Sequence, residues 1–239
     1  MAETVFVIPD VHCPYEDSKA LDLVLEIHKD LKPSLTVIIG DFCDFYSISN
    51  YRKNPHRNLN LRWEVDQVNK QLDRIETENV VFLEGNHEDR LRRFLQDKAP
   101  ELFGLTEIGK LFRLEERGWK HVEYGDYFTR GKVTYVHDLG HSGKYALHQT
   151  IQTAGGNVVF GHTHRGGIVY EGHVGSGGHF ALNVGWLGNY RQLDYKSKFK
   201  AQRDFRLGFG LIEEESGLYF PSFYPIVKGK SYVRGKLYG

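Results

Sequence analysis

The sequence predicts an α/β fold, and three observations carry that prediction. Short β-branched apolar runs alternate with helical patterns through the first half of the chain. Beyond about Lys132 the pattern turns richer in strand-like runs and glycine. Five short polar segments each follow directly on a predicted strand. No internal repeat, low-complexity tract or linker interrupts the 239 residues, so the chain 1–239 is expected to form a single domain.

Taken in order, Thr4 to Ile8 is a nearly continuous apolar run ending in Pro9-Asp10, as a buried parallel strand would be. Asp17 or Ser18 caps a helix whose apolar positions are Leu21, Val24, Leu25 and Ile27. Leu35 to Ile39 is a second strand, followed at once by Gly40-Asp41. Residues 61–76 have helical spacing through Val65, Val68, Leu72 and Ile75. Asn79 to Leu83 is a third strand, and a helix follows through Leu91, Phe94 and Leu95. This alternation belongs to a sheet with right-handed crossovers. Lys132 to Val136 and Val158 to Phe160 read as strands flanking a helix near Lys144 to Thr153. Gly167 to Tyr170, Phe180 to Val184, Leu207 to Ile212 and Leu218 to Tyr224 are further strands, the last two joined as a hairpin around Ser216-Gly217. Segment 45–60 is polar, irregular and long enough for a functional surface loop or lid.

Composition narrows the function classes. Lysine plus arginine equals aspartate plus glutamate at 31 each, so no global field gathers nucleic acid or an anionic membrane. A nucleic-acid partner would need a local patch or bound metal. Two cysteines, Cys13 and Cys43, are too few for a disulfide framework; buried free thiols are expected, with redox gating as the alternative. The N-terminus MAETVFVIPD has neither a basic n-region nor a signal-peptide core, and no apolar run approaches the roughly 20 residues that span a bilayer. A soluble cytoplasmic protein with no membrane partner is expected.

The five segments are Asp10-Val11-His12, Gly40-Asp41 with Asp44, Gly85-Asn86-His87-Glu88, His137, and Gly161-His162-Thr163-His164. In an open α/β sheet the loops beyond the carboxyl ends of the strands form the ligand crevice, so all five would converge on one rim. Carboxylates, imidazoles and one amide oxygen suit borderline or hard divalent cations such as Mn²⁺, Fe²⁺ or Zn²⁺. Glycine before Asp41, Asn86 and His162 removes bulk where the chain turns close to the ions.

The order DVH, GDFCD, GNHE, a strand-end His, then GHTH resembles the calcineurin-like metallophosphoesterase superfamily, over residues 4 to about 185. The GNHEDRLRRFL continuation and the small size resemble its phage and prophage members. The resemblance implies a metallophosphoesterase-type sandwich of two mixed β-sheets flanked by helices. It also implies two divalent metal ions, Mn²⁺ before Fe or Zn. Asp10, His12 and His164 would bind the first ion, Asp41 would bridge, and Asn86, His137 and His162 would complete the second. A hydroxide bridging ions ~4 Å apart would attack phosphorus in line. His87 would stabilise the transition state or protonate the leaving oxygen, with Asp44 orienting its imidazole.

Two positions depart from the family pattern. Many phosphoprotein phosphatases of the superfamily carry Arg after the aspartate matching Asp44; here Phe45 stands there, removing a bidentate phosphate clamp. Many members have Gly after the strand-end histidine; here Asp138 follows His137, which makes His141 a rival ligand or a substrate contact. His137 is preferred because it directly ends its strand. Arg90 and Arg93 share a helix face and either line the substrate path or pair with Glu88, Asp89 or Asp97; Arg92 points elsewhere. The stretch Lys196 to Arg206, basic with interleaved aromatics, reads as a surface segment or as a cradle for nucleic acid. The expected function is hydrolysis of small or nucleotide-like phosphodiesters or phosphomonoesters. A nuclease, a phosphoprotein phosphatase and a non-catalytic metal-binding scaffold are the alternatives.

Overall fold

A computed structural model describes residues 3–173, 177–192 and 204–239. The chain runs β1 (Glu3–Ile8), α1 (Ser18–Leu31), β2 (Leu35–Ile38), α2 (Leu61–Leu72), β3 (Val80–Leu83), α3 (Asp89–Lys98), α4 (Ile108–Leu111), β4 (Lys120–Val122), β5 (Phe128–Arg130), β6 (Val133–Tyr135), α5 (Ala146–Ala154), β7 (Asn157–Phe160), β8 (Gly167–His173), β9 (Gly177–Asn183), β10 (Gly208–Glu215), β11 (Leu218–Pro225), β12 (Ser231–Val233) and β13 (Lys236–Tyr238).

Two mixed sheets form. The six-stranded sheet has the order β11-β10-β1-β2-β3-β4 and the five-stranded sheet β5-β6-β7-β9-β8, with β12 and β13 as a separate hairpin. Parallel pairing joins β1, β2, β3 and β4 in the first sheet, and β6, β7 and β9 in the second. The remaining neighbours are antiparallel.

Period-two alternation along β1 explains the layering. Val5 and Val7 point into a core shared with Val37, Val81, Val159, Leu182 and Ile212, which lies between the sheets. Phe6 and Ile8 point the other way, into a core with Val24 and Ile27 of α1 and Val68 and Leu72 of α2. A third, smaller core sets Ile151 of α5 against Val158 and Phe160. Helix, sheet, sheet and helix thus stack as the α/β sandwich the sequence implied.

Helix ends follow local chemistry. Asp17 caps α1 by accepting from the Ala20 backbone N–H at 3.1 Å, and Asn60 caps α2 through the N–H of Trp63 at 3.0 Å. The helix expected over 61–76 stops at Leu72; a turn then carries Ile75 into the core. The runs near 167 and 180 extend toward each other as a longer antiparallel pair, Gly167–His173 with Gly177–Asn183.

Candidate metal centre

β1, β2, β3, β6 and β7 end at Ile8, Ile38, Leu83, Tyr135 and Phe160. Each of the five polar segments begins within three residues of one of those ends, and their side chains meet. Of the three groups of potential ligands among the described residues whose donor atoms lie within 4.8 Å of one another, two contain Asp41: Asp10, His12, Asp41 and His164, and Asp41, His137 and His162. The amide oxygen of Asn86 joins the second group, 2.8 Å from His162 Nδ1 and 3.2 Å from His137 Nε2.

The donor set fits divalent cations. The Nε2 atoms of His12 and His164 lie 3.0 Å apart, about the separation of two nitrogens each roughly 2.1 Å from one cation and at right angles around it. His164 Nε2 is also 3.1 Å from Asp10 Oδ2. Asp10 Oδ1 is buried without a hydrogen-bond partner, which is costly for a carboxylate unless a cation completes it. His137 Nδ1 faces the Ile39 carbonyl at 2.9 Å, so Nε2 is the nitrogen turned toward Asp41 and Asn86.

The backbone is bent to bring these groups together. His12, Asp41, His162 and His164 all have positive φ, between 48° and 63°. Such conformations cost non-glycine residues of order 1 kcal/mol and persist where surroundings over-determine them. Here the N–H groups of Val11 and His12 both donate to the Asp41 carbonyl, at 3.1 and 2.9 Å. A Cβ on Gly40, whose φ is 102°, would meet Gly85 N at 2.6 Å and His137 Nδ1 at 2.7 Å. One on Gly85 would collide with Asp41 Oδ1, and one on Gly161 with Asp10 Oδ1. The glycine requirement read from the sequence is thus a matter of direct approach between ligand loops.

Three further residues hold the centre together, a role that the sequence motifs do not reveal. Glu88, fully buried, accepts from the backbone N–H groups of Asp41, Cys43 and Gly85, each at 2.8 Å. It ties the β2 loop to the β3 loop, whereas the sequence reading offered it only as a partner for arginines. Burial and the Asp41 charge push its carboxyl up to about 7, against the pull of those N–H groups. Asn183 donates to the Gly161 carbonyl at 2.6 Å and to Thr163 Oγ1 at 3.1 Å, and accepts from Gly166 and Gly185. A buried amide at the end of the apolar run Phe180 to Val184 was the available signal. Trp186 stacks on His164, with ring centroids 4.9 Å apart.

Burial disfavours the charged form of Asp41, yet His137, His87 and His12 outweigh it and hold the carboxyl well below its ordinary range. Burial likewise opposes protonation of His137, but Asp41, with Asp10 and Asp138, pushes it up to about 10. His12 is lowered, chiefly by burial.

His87 lies beside the two groups, its Nε2 3.8 Å from Asp41 Oδ2. Asp44 holds the His87 ring with two groups: Nδ1 is 3.0 Å from the Asp44 backbone carbonyl and 3.5 Å from its Oδ2. That oxygen is drawn between two imidazoles and sits nearer His12 Nδ1, at 3.3 Å. His12, Asp44 and His87 also have convergent donors, but the Arg90 guanidinium already supplies a cation there, 2.8 Å from His87 Nε2.

The other residues singled out by sequence fall in different places. Arg90 is half-hidden in the centre. Arg92 and Arg93 both pair with Asp89, and Arg93 also donates to the Asn86 carbonyl at 3.1 Å. His141 is bonded to Thr153 of α5 at 2.6 Å and belongs to neither ligand group. Phe45 is buried and stacks on Phe112. Cys13 and Cys43 are neighbouring buried free cysteines, bridged backbone to backbone in parallel, and burial raises both thiols well above their usual range. Loop 45–60 is pinned at two points. Ser47 N donates to Glu64 at 3.0 Å, and the Arg57 guanidinium lies 4.2 Å from the Tyr15 ring centre and 4.6 Å from that of Tyr46. Residues 196–203 of the basic stretch lie outside the described residues.

The sequence matches the family described as calcineurin-like phosphoesterase over residues 3–166. The chain belongs to that family. As a calcineurin-like phosphoesterase it is a metal-dependent phosphoric ester hydrolase, and the ligand groups above are the candidate binding site for its divalent cations. Among curated proteins it is 28% identical to the Gene 54 protein of Mycobacterium phage D29 and 27% identical to that of Mycobacterium phage L5. Each comparison runs over 257 aligned positions, covering 100% of this chain and 99% of the phage protein. Among solved structures it is similar to Chaetomium thermophilum Vps29, at 13% identity and a TM-score of 0.48, over 95% of this chain and 87% of that one. No helix among the described residues is long and apolar enough to cross a membrane.

Proposed function

We propose that this phosphoesterase hydrolyses small, nucleotide-like phosphodiesters or phosphomonoesters at a dinuclear centre, Mn²⁺ being the preferred ion. Asp10, His12 and His164 hold one cation, Asn86, His137 and His162 the other, and Asp41 serves both. The observation that carries this reading is the Asp41 carboxylate, common to both ligand groups. When bound, the two ions supply positive charge for the phosphoryl oxygens and lower the pKa of water to near neutrality. Glu88 and Asn183 fix the loops that present the ligands. His87, held by the Asp44 carbonyl and placed 3.8 Å from Asp41 Oδ2, would stabilise the reacting group or, with Nε2 protonated in place of its contact with Arg90, pass that proton to the leaving oxygen. The protein works in the cytoplasm, and the whole chain works as one domain: β10, beyond the matched region, pairs directly with β1.

The test uses metal-free protein titrated with Mn²⁺ and assayed on bis(p-nitrophenyl) phosphate. Two ions are expected to bind, with Asp41→Asn losing both tight binding and turnover. His87→Ala keeps its metal and loses roughly 10²–10⁴ in rate. Turnover that survives chelation, or an Asp41→Asn protein as active as the wild type, would overturn the reading.

A further inference from the structure

Arg90 stands in the first turn of α3, and its side chain is only 15% exposed. Nη1 donates to the Asp44 carbonyl at 2.8 Å, and Nη2 lies 2.8 Å from His87 Nε2. Its contact with a carboxylate is weak, since the Asp44 Oδ1 is 3.4 Å away. The neighbouring Arg92 and Arg93, by contrast, are held closely on Asp89. A guanidinium carries five N–H donors in a fixed fork. The contacts of Arg90 engage Nη1 and Nη2, and Nε takes part in none of them, which leaves a donor for an anion. Asp44 Oδ1 pairs with the guanidinium only at 3.4 Å, so a closer anion would offset more of its desolvation.

The placement identifies the anion. His87 Nε2 bridges the gap between the Arg90 fork and Asp41 Oδ2, 2.8 Å from one and 3.8 Å from the other. The guanidinium is thus one side chain removed from the shared carboxylate, within reach of a phosphoryl group held there. We infer that Arg90 contacts the substrate, binding a non-bridging phosphoryl oxygen and selecting phosphomonoesters over phosphodiesters. A monoester dianion has three non-bridging oxygens. With two of them turned toward the ligand groups, the third is left for the guanidinium. A diester has only two and one negative charge, so it offers Arg90 an uncharged ester oxygen with a substituent that crowds the fork. Phe45 removes the guanidinium that many phosphoprotein phosphatases carry after the aspartate matching Asp44; in this chain α3 brings Arg90 to the same neighbourhood.

The inference rests on the hydrolase reading for its substrate, so its test separates the two. Mn²⁺-loaded wild type, Arg90→Met and Arg90→Lys are compared on p-nitrophenyl phosphate and bis(p-nitrophenyl) phosphate, with metal content checked. Binding of inorganic phosphate is measured independently of turnover. In Arg90→Met the monoester kcat/KM is expected to fall roughly 10- to 100-fold further than the diester value. Phosphate binding is expected to weaken by about tenfold or more, with partial recovery in Arg90→Lys. An unchanged monoester-to-diester ratio together with unchanged phosphate affinity would overturn the clamp and leave the hydrolase standing. A wild type that binds phosphate through Arg90 but hydrolyses neither ester would overturn the hydrolase and keep the clamp.

Discussion

Both ring nitrogens of His137 face acceptors, Nδ1 the Ile39 carbonyl at 2.9 Å and Nε2 the oxygens of Asn86 and Asp41 at 3.2 and 3.4 Å. That is the environment of an imidazolium, and it agrees with a pKa pushed up to about 10 by Asp41 against the opposing effect of burial. A metal ion at Nε2 has to displace that proton. Mn²⁺ binding at pH 7–8 is therefore expected to release roughly one proton from this histidine, and affinity should rise with pH toward about 10. Calorimetry in buffers of different ionisation enthalpy reads the proton directly. Proton-neutral binding across that range would contradict the assignment. The sign is distinctive, because an unperturbed histidine would already be neutral at pH 8 and would release almost nothing.

At the scale of elements, α1 is fastened to β2 by one buried polar contact, His28 Nε2 to Thr36 Oγ1 at 2.7 Å. Burial lowers the His28 pKa to about 4. The folded state thus requires the neutral ring, and the stability it carries is fully present above about pH 6.5. It is lost as pH falls from there toward 4. The loss amounts to about 2–3 kcal/mol. Urea unfolding of metal-free wild type and His28→Gln at pH 7 and pH 4 should show the variant losing less by that amount. Equal pH dependence in both would remove His28 from the account. Elements this deeply buried were also the legible ones: β1, β2, β3 and β7 are continuous apolar runs, and their ends carried the ligand motifs. β4 and β5 are three residues long, and β5 alternates half-buried and exposed positions. Too few side chains enter a core there to make a period. Within the site, ligand types and glycines could be read because metal chemistry constrains them. The roles of Glu88 and Asn183 could not, since their partners, mostly backbone groups, are brought near only by the folded loops.

At the scale of the molecule, the matched family region ends at residue 166, yet both sheets are completed by later chain. β7 pairs with β9, and β1 with β10. Leu182 and Ile212 fill the core between the sheets, and Phe209 stacks on Phe6 with centroids 4.9 Å apart. Asn183, which holds the loop of His162 and His164, also lies beyond that boundary. A chain cut after Gly166 keeps every proposed metal ligand but exposes one side of β1 and one side of β7. It is expected to show no cooperative thermal transition and no tight Mn²⁺ uptake. A cut after Ile226 makes the contrasting case. It removes only the hairpin of β12 and β13, whose Val233 and Tyr238 pack into the helix-side core and whose Lys236 pairs with Asp30 at 2.8 Å. That protein should melt cooperatively at a lower temperature, since two buried apolar side chains contribute about 1.5–3 kcal/mol each, and should still bind metal. If the fragment ending at Gly166 melted cooperatively and took up Mn²⁺, the single-unit proposal would fail, because the ligand loops would then be set by the first half of the chain alone.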